Sequence, residues 1–259
     1  MSNKISHIQS SSFATEWKLK QLLYFHAAAL LLLSSLFCQP LQYIWERFDS
    51  AFFQSINQTL REHPWWQTFW ALASHKNTDW LADLFFLGFF IHYICKAPIG
   101  KRTERISQII FCLFYCAAII YFFNRLFLRE HLHIPRLSPS LVFTDAIILS
   151  DIVPWISFKD TSTACFPGDH ATTALLFAAC YTYFAGIRSG LFAIGFALFL
   201  CFPRLITGAH WISDIVVGSG SIALIFLSWA FCTPLQTFIV QKIKTGLSFL
   251  QNMKVSSLD

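Results

Sequence analysis

Charge is what this sequence has least of. Only 13% of its 259 residues are Asp, Glu, Lys or Arg, about half the share of a soluble domain. That excludes an ordinary water-borne globule. No dense basic run is present, which excludes the kind of surface that tracks nucleic acid. The first apolar stretch, Leu22 to Cys38, lacks a small-residue cleavage site at its end. It therefore reads as a retained span, not a secretory signal. The eight cysteines fall mostly inside apolar runs, as at Cys112, Cys116, Cys180 and Cys201, with Cys165 in a loop. Cysteines in such runs behave as small hydrophobes. No Cys/His group has ligand spacing, so neither a disulfide framework nor a zinc site is expected.

In place of charge stands apolar bulk. The apolar share is 55%, with 29 Phe, and the mean hydropathy is +0.52. Six spans follow from length and apolarity, at about 21–38, 80–95, 106–124, 171–187, 190–206 and 211–232. The expected fold is an all-α, six-span transmembrane bundle. Residues 1–20 form an N-terminal segment, 21–235 the catalytic domain and 236–259 a C-terminal tail. Residues 44–60 pattern as an amphipathic helix in the interface plane. Phe52, Phe53, Ile56 and Leu60 recur at helical spacing, opposite Asp49, Gln54 and Gln58.

Orientation follows from the basic residues. The N-terminus, the 96–105 loop, the Arg188 turn and the C-terminus together hold 11 of the 19 Lys and Arg but only three acids. The positive-inside rule makes that side cytoplasmic. Both termini then lie inside, and the 39–79, 125–170 and 207–210 loops lie outside. The 125–170 loop is long and carries charge close to lipid, which points to function.

Three polar clusters fall at the outer ends of the last four spans. Arg129 and Arg136 are separated by six residues. Phe166-Pro167-Gly168-Asp169-His170 precedes the fourth span. Arg204, His210 and Asp214 straddle the turn between the fifth and sixth. His210 and Asp214, four apart at a helix start, share a face. The carboxylate fixes the imidazole tautomer and leaves the other ring nitrogen free as a nucleophile. His170 lies near a helix N-terminus, where unpaired N–H groups attract phosphate oxygens. Gly168 lets an anion approach the backbone, and His170 can protonate a leaving oxygen. Arg129, Arg136 and Arg204 supply forks that match phosphoryl oxygens. Groups converging in this way need no metal and imply no cofactor.

These clusters resemble the type 2 phosphatidic-acid phosphatase superfamily. Its pattern is a basic residue, six others, then Arg-Pro; Pro-Ser-Gly-His; and Ser-Arg, five others, His, three others, Asp. The departures here are Leu137 for Pro, Gly168 for Ser, Asp169 for Gly and Pro203 for Ser. Residues 138–145, 165–170 and 202–214 are similar to the lipid A 1-diphosphate synthases within it. That resemblance implies a bacterial inner-membrane enzyme whose site faces the periplasm. It would move a phosphate from undecaprenyl pyrophosphate to lipid A through a phosphohistidine on His210. Asp214 would orient His210, and His170 would serve the leaving group. Arg129, Arg136, Arg204 and Gly168 would hold the transferred phosphate. The partners implied are lipids and the membrane, not nucleic acid. Hydrolysis of a lipid pyrophosphate uses the same intermediate, whereas a channel or transporter would form none.

Other polar residues have two readings. Asp169 is either the N-cap of the fourth span or a charge that keeps His170 an acid. His75, Lys76 and Asp79 either bind a substrate phosphate or form a polar interface. Arg125 reads as a snorkelling anchor. His131 and His133 read as solvated loop residues, and His26 and His92 as packed between helices.

Overall fold

A computed structural model describes residues 16–132 and 134–256, and among these it is helical with no strand. Helix α1 (Leu19–Ser34) bends by 76° into α2 (Gln39–Asn57), which closes in a tight turn to Leu60. Then come α3 (Pro64–Ser74), α4 (Lys76–Cys95) and α5 (Arg102–Ala118), the last prolonged in wide π-type turns over Ile119–Leu132. The short α6 (Pro139–Val142) and α7 (Leu149–Ile152) lie in the loop that leads to α8 (Asp169–Ala185) and α9 (Ile187–Ile206). A π-type segment, Asp214–Ser219, opens into α10 (Gly220–Cys232), and α11 (Leu235–Ser256) follows.

Helices stand at all six expected span positions, but not all of them could cross a bilayer alone. Four are long and apolar enough: α4, Ile99–Leu132, α9 and Asp214–Cys232. The bent α1–α2 pair makes a fifth only when taken together. Helix α8 has 17 residues, about 25 Å of rise against a hydrocarbon core of about 30 Å. It forms the centre of the bundle. Ala171, Ala174, Phe177, Ala178 and Tyr181 face Ala193, Ala197, Cys201 and Leu205 of α9 in one buried cluster. Small residues permit this close approach. A Cβ on Gly190 would lie 2.4 Å from the Thr182 hydroxyl.

The third expected span, 106–124, runs on to Leu132 because no Pro or Gly interrupts residues 101–134. Arg125 and Arg129 therefore ride on a helix, not a loop. The segment read as a C-terminal tail holds α11. Its Val240 packs with Phe111 and Ala230, and its Lys244 pairs with Glu104 at 3.2 Å. His133, residues 1–15 and residues 257–259 lie outside the described residues. The solvated-loop reading of His133 and most of the N-terminal segment fall there.

Helix α2 corrects the amphipathic reading. Asp49 was placed on the polar face, yet it lies four residues before Phe53 and shares its side of the helix. Asp49 is 2% exposed, as deeply buried as Phe53 at 3%. Asn57, one turn further, donates to the Ile147 and Ile206 carbonyls and accepts from the Ile147 amide. The helix is thus stitched to the α9 end and to the long loop.

The connectivity brings the start of α4, the end of the α5 extension, the start of α8, the end of α9 and the entry to α10 to one end of the bundle. The α9–α10 turn there is tight. Gly208 has φ +79°, and a Cβ on it would meet Phe53 at 2.9 Å and Ser140 at 3.1 Å. The Gly208 carbonyl accepts from the Ser140 hydroxyl at 2.9 Å. Gly208→Ala should therefore lower stability by about 1–2 kcal/mol from the left-handed backbone alone, with the Phe53 contact adding to it. A thermal melt of the purified protein checks this, and an unchanged midpoint contradicts it.

Candidate active site

The site is anchored by Arg136. Extended chain around residue 136 pairs with 162–165: the Arg136 amide donates to Thr163 O at 3.2 Å, and the Cys165 amide to Arg136 O at 3.0 Å. This aims the guanidinium into the α9–α10 turn. One amino group contacts Asp214 Oδ1. The other donates to Asp49 Oδ2 and to Ser213 Oγ, each at 2.9 Å. Asp49 is held further by the Ser213 amide at 2.9 Å and by its hydroxyl. Asp214 is fully buried and Asp49 nearly so. Arg136 was read as a phosphate ligand. In the fold its amino groups contact the Asp214 and Asp49 carboxylates, so that it also braces Asp214.

Asp214 in turn addresses His210. Its Oδ2 accepts the Trp211 amide at 2.9 Å and lies 3.4 Å from His210 Nδ1. That nitrogen is buried and has no hydrogen bond among the described residues, and 3.4 Å is longer than a formed charge-assisted bond. Such contacts commonly tighten when substrate binds. The ring lies over Gly168, where an added Cβ would be 3.7 Å from His210 Cε1. The Gly168 carbonyl is pinned by the hydroxyls of Thr172 at 2.9 Å and Ser219 at 3.0 Å. Cys165, also at this corner, is fully buried. Burial pushes its thiol up, and the neighbouring Asp214 carboxylate pushes it further. It therefore stays protonated and is no rival nucleophile.

A second histidine–carboxylate pair stands nearby. His170 Nε2 lies 3.5 Å from the Asp79 carboxylate of α4 and 3.4 Å from Arg204 Nη2. Arg204 Nη2 is 3.7 Å from Asp79, and Nη1 donates to Ser74 O at 3.3 Å. Asp79, His170 and Arg204 line one cavity of 250 Å³ between α4, α8 and α9. Asp79 had been read as a candidate phosphate ligand. A carboxylate repels phosphate, and here it partners His170. His75 caps α4, its Nδ1 accepting the Asn77 amide at 3.1 Å, while Lys76 is exposed.

Asp169 is not the N-cap of α8; that position belongs to Gly168. Its carboxylate pairs instead with Arg129 Nη2 at 2.8 Å and accepts from Asn124 at 3.3 Å. Asn124 also reaches the Thr172 hydroxyl at 3.2 Å. The extension of α5 is thereby fastened to the start of α8, with Arg129 half-exposed at the rim.

Sequence reading missed the burial of Asp49 and drew no link between Asp79 and His170. The first could have been found from its i,i+4 relation to Phe53. The second depends on a tertiary approach with no local signal. A cluster unseen in the sequence also forms: the thiols of Cys112, Cys116 and Cys180 lie within 4.8 Å of one another in the bundle interior. Three thiols are one short of a structural zinc site. His26 is packed between helices as expected, accepting from Trp229 Nε1 at 3.1 Å.

Comparison with known proteins places the chain in a family. The PAP2 superfamily model matches residues 138–238. Lipid A 1-diphosphate synthase of Escherichia coli (strain K12) is 31% identical over 196 residues, covering 76% of this chain and 80% of that one. No solved structure matches the chain at a significant level.

Removing Asp49 leaves Arg136 with an unmet buried donor. Asp49→Ala should cost about 3 kcal/mol or more, seen as a lower melting midpoint. Asp49→Asn keeps hydrogen-bonding capacity and should cost less. Equal midpoints for Asp49→Ala and the wild type would show that the network is not structural.

Proposed function

The chain belongs to the PAP2 superfamily, and from that premise we propose that it transfers a phosphate from undecaprenyl pyrophosphate to the 1-phosphate of lipid A. The observation that carries this reading is the double pairing at one end of an apolar bundle. His210 is backed by Asp214 and Arg136, and His170 stands between Asp79 and Arg204. The likeness to a lipid A 1-diphosphate synthase supports the choice of substrates.

In the first half-reaction, His210 Nε2 attacks the terminal phosphorus of the pyrophosphate. A P–N bond forms, and the bond to the bridging oxygen breaks. Undecaprenyl phosphate leaves and takes a proton from His170. Asp214 stabilises the imidazolium that develops, and Arg136 acts through Asp214. Arg204, Arg129 and the Gly168 backbone hold the oxygens of the transferred group. In the second half-reaction, an oxygen of the lipid A 1-phosphate attacks the phosphohistidine. The P–N bond breaks, His210 is restored, and the acceptor carries a diphosphate. Asp79 positions His170. No metal takes part in this scheme.

The bundle crosses the membrane six times in this reading, α8 included, with α2 at the interface. Both termini are cytoplasmic and the site faces the periplasm, supported by the uneven spread of Lys and Arg.

Incubating purified protein with pyrophosphate-labelled undecaprenyl donor, with and without lipid A, tests the reading. Label should appear on lipid A. Free phosphate released equally in both reactions would assign a hydrolase instead. His170→Gln should slow transfer by about 10²–10⁴-fold. A variant at wild-type speed would remove His170 from the proton path.

A further inference from the structure

A large cavity runs along α4 to the other end of the bundle. It measures 690 Å³ and opens between α4 and the start of α9. Its walls are mainly apolar, formed by Leu84, Phe85, Phe89 and Phe192, with His92, Tyr181 and Ser189 as its neutral polar lining, and Gly88 leaves its middle open. Its mouth is cationic: Lys96 from the end of α4 and Arg188 from the first turn of α9. No acidic residue lines it, and among the described residues neither cation has a hydrogen bond, ion pair or ring contact.

A lone Lys or Arg at a helix end ordinarily snorkels to water. Here two converge on the mouth of one hydrophobic groove, which calls for a ligand with an anionic head and an apolar tail. From Lys96 to Leu81, the lining residue of α4 furthest from the mouth, the helix rises about 22 Å. That exceeds the roughly 15 Å of hydrocarbon in one leaflet, so a complete acyl chain fits along it. The position is also set. Lys96 and Arg188 lie at the end of α4 and the start of α9, opposite the ends that carry Asp79 and Arg204.

We infer that this groove holds an anionic glycerophospholipid of the leaflet opposite the catalytic end, with its phosphate between Lys96 and Arg188 and one acyl chain between α4 and α9. Only 11% of the apolar window of α4 is buried against the rest of the protein, so most of the helix, this groove included, is open to lipid. The inference rests on α4 and α9 crossing the bilayer and does not depend on the reaction. It goes beyond phosphate transfer, whose substrates act at the other end.

Native mass spectrometry of the full-length protein in detergent, titrated with phosphatidylglycerol or phosphatidylcholine, reads the site without turnover. The first phosphatidylglycerol should bind roughly ten-fold more tightly than phosphatidylcholine, given the known attraction of each cation for anionic lipid. The double variant K96Q/R188Q should bring the two lipids within about two-fold of each other. Gly88→Trp should weaken both by filling the groove, with an unchanged circular dichroism spectrum showing that the variant folds. Equal binding of the two lipids by the wild type, or a preference that survives K96Q/R188Q, overturns the assignment. Either outcome leaves the phosphate-transfer reading intact, because that is measured by label transfer alone.

Discussion

Two carboxylates, Asp49 and Asp214, are buried side by side at one end of an apolar bundle, and the guanidinium of Arg136 between them is what makes this tolerable. An unpaired charge at either position would carry a desolvation penalty of several kcal/mol. The arrangement joins α2, the loop at residue 136 and the entry to α10, which the Asn57 and Ser140 hydrogen bonds also hold together. Everything chemical follows from it. Asp214 is aimed at His210 because Arg136 and the Trp211 amide have fixed both of its oxygens.

The second histidine is built on the opposite principle. His170 and Asp79 are each about half exposed, and their partner Arg204 reaches the cavity from the end of α9. The buried pair is rigid, as the proposed nucleophile requires. The accessible pair can exchange partners when an anion arrives, as the proposed proton donor and phosphate clamp require. The end of α9 links the two, since the Arg204 carbonyl accepts the amides of Ala209 and His210 at 3.0 and 3.1 Å. The residue that faces the cavity with its side chain thus also holds the His210 backbone with its carbonyl.

Much of this was legible in the sequence, and what was not has physical causes. Apolar runs gave helices at every expected position, because hydrophobicity and length are local properties. The spacing of His210 and Asp214 predicted that the two approach, and they do, at 3.4 Å, although His210 stands in the turn before the helix and not on it. Asp49 escaped because a charged residue was assigned to the wet side of its helix by type, although its spacing from Phe53 placed it inside. Arg129 and Asp169 pair across 40 residues of chain, and Asp79 reaches His170 across 91; no periodicity reports such approaches. Helix α11 was passed over because its mixed polarity suits a helix lying on the bundle as well as a tail. Three cysteines, an ordinary apolar pattern along the chain, become neighbours only when α5 meets α8.

The central claim is that one imidazole, the one braced through Asp214 and Arg136, takes the phosphate covalently. The most direct test is to quench the wild-type protein under alkaline conditions during turnover of labelled undecaprenyl pyrophosphate and map the label by peptide mass spectrometry. Label is predicted on His210 and on no other residue, and it should disappear when lipid A is added before the quench. Label on His170, or turnover with no labelled histidine at all, would contradict it.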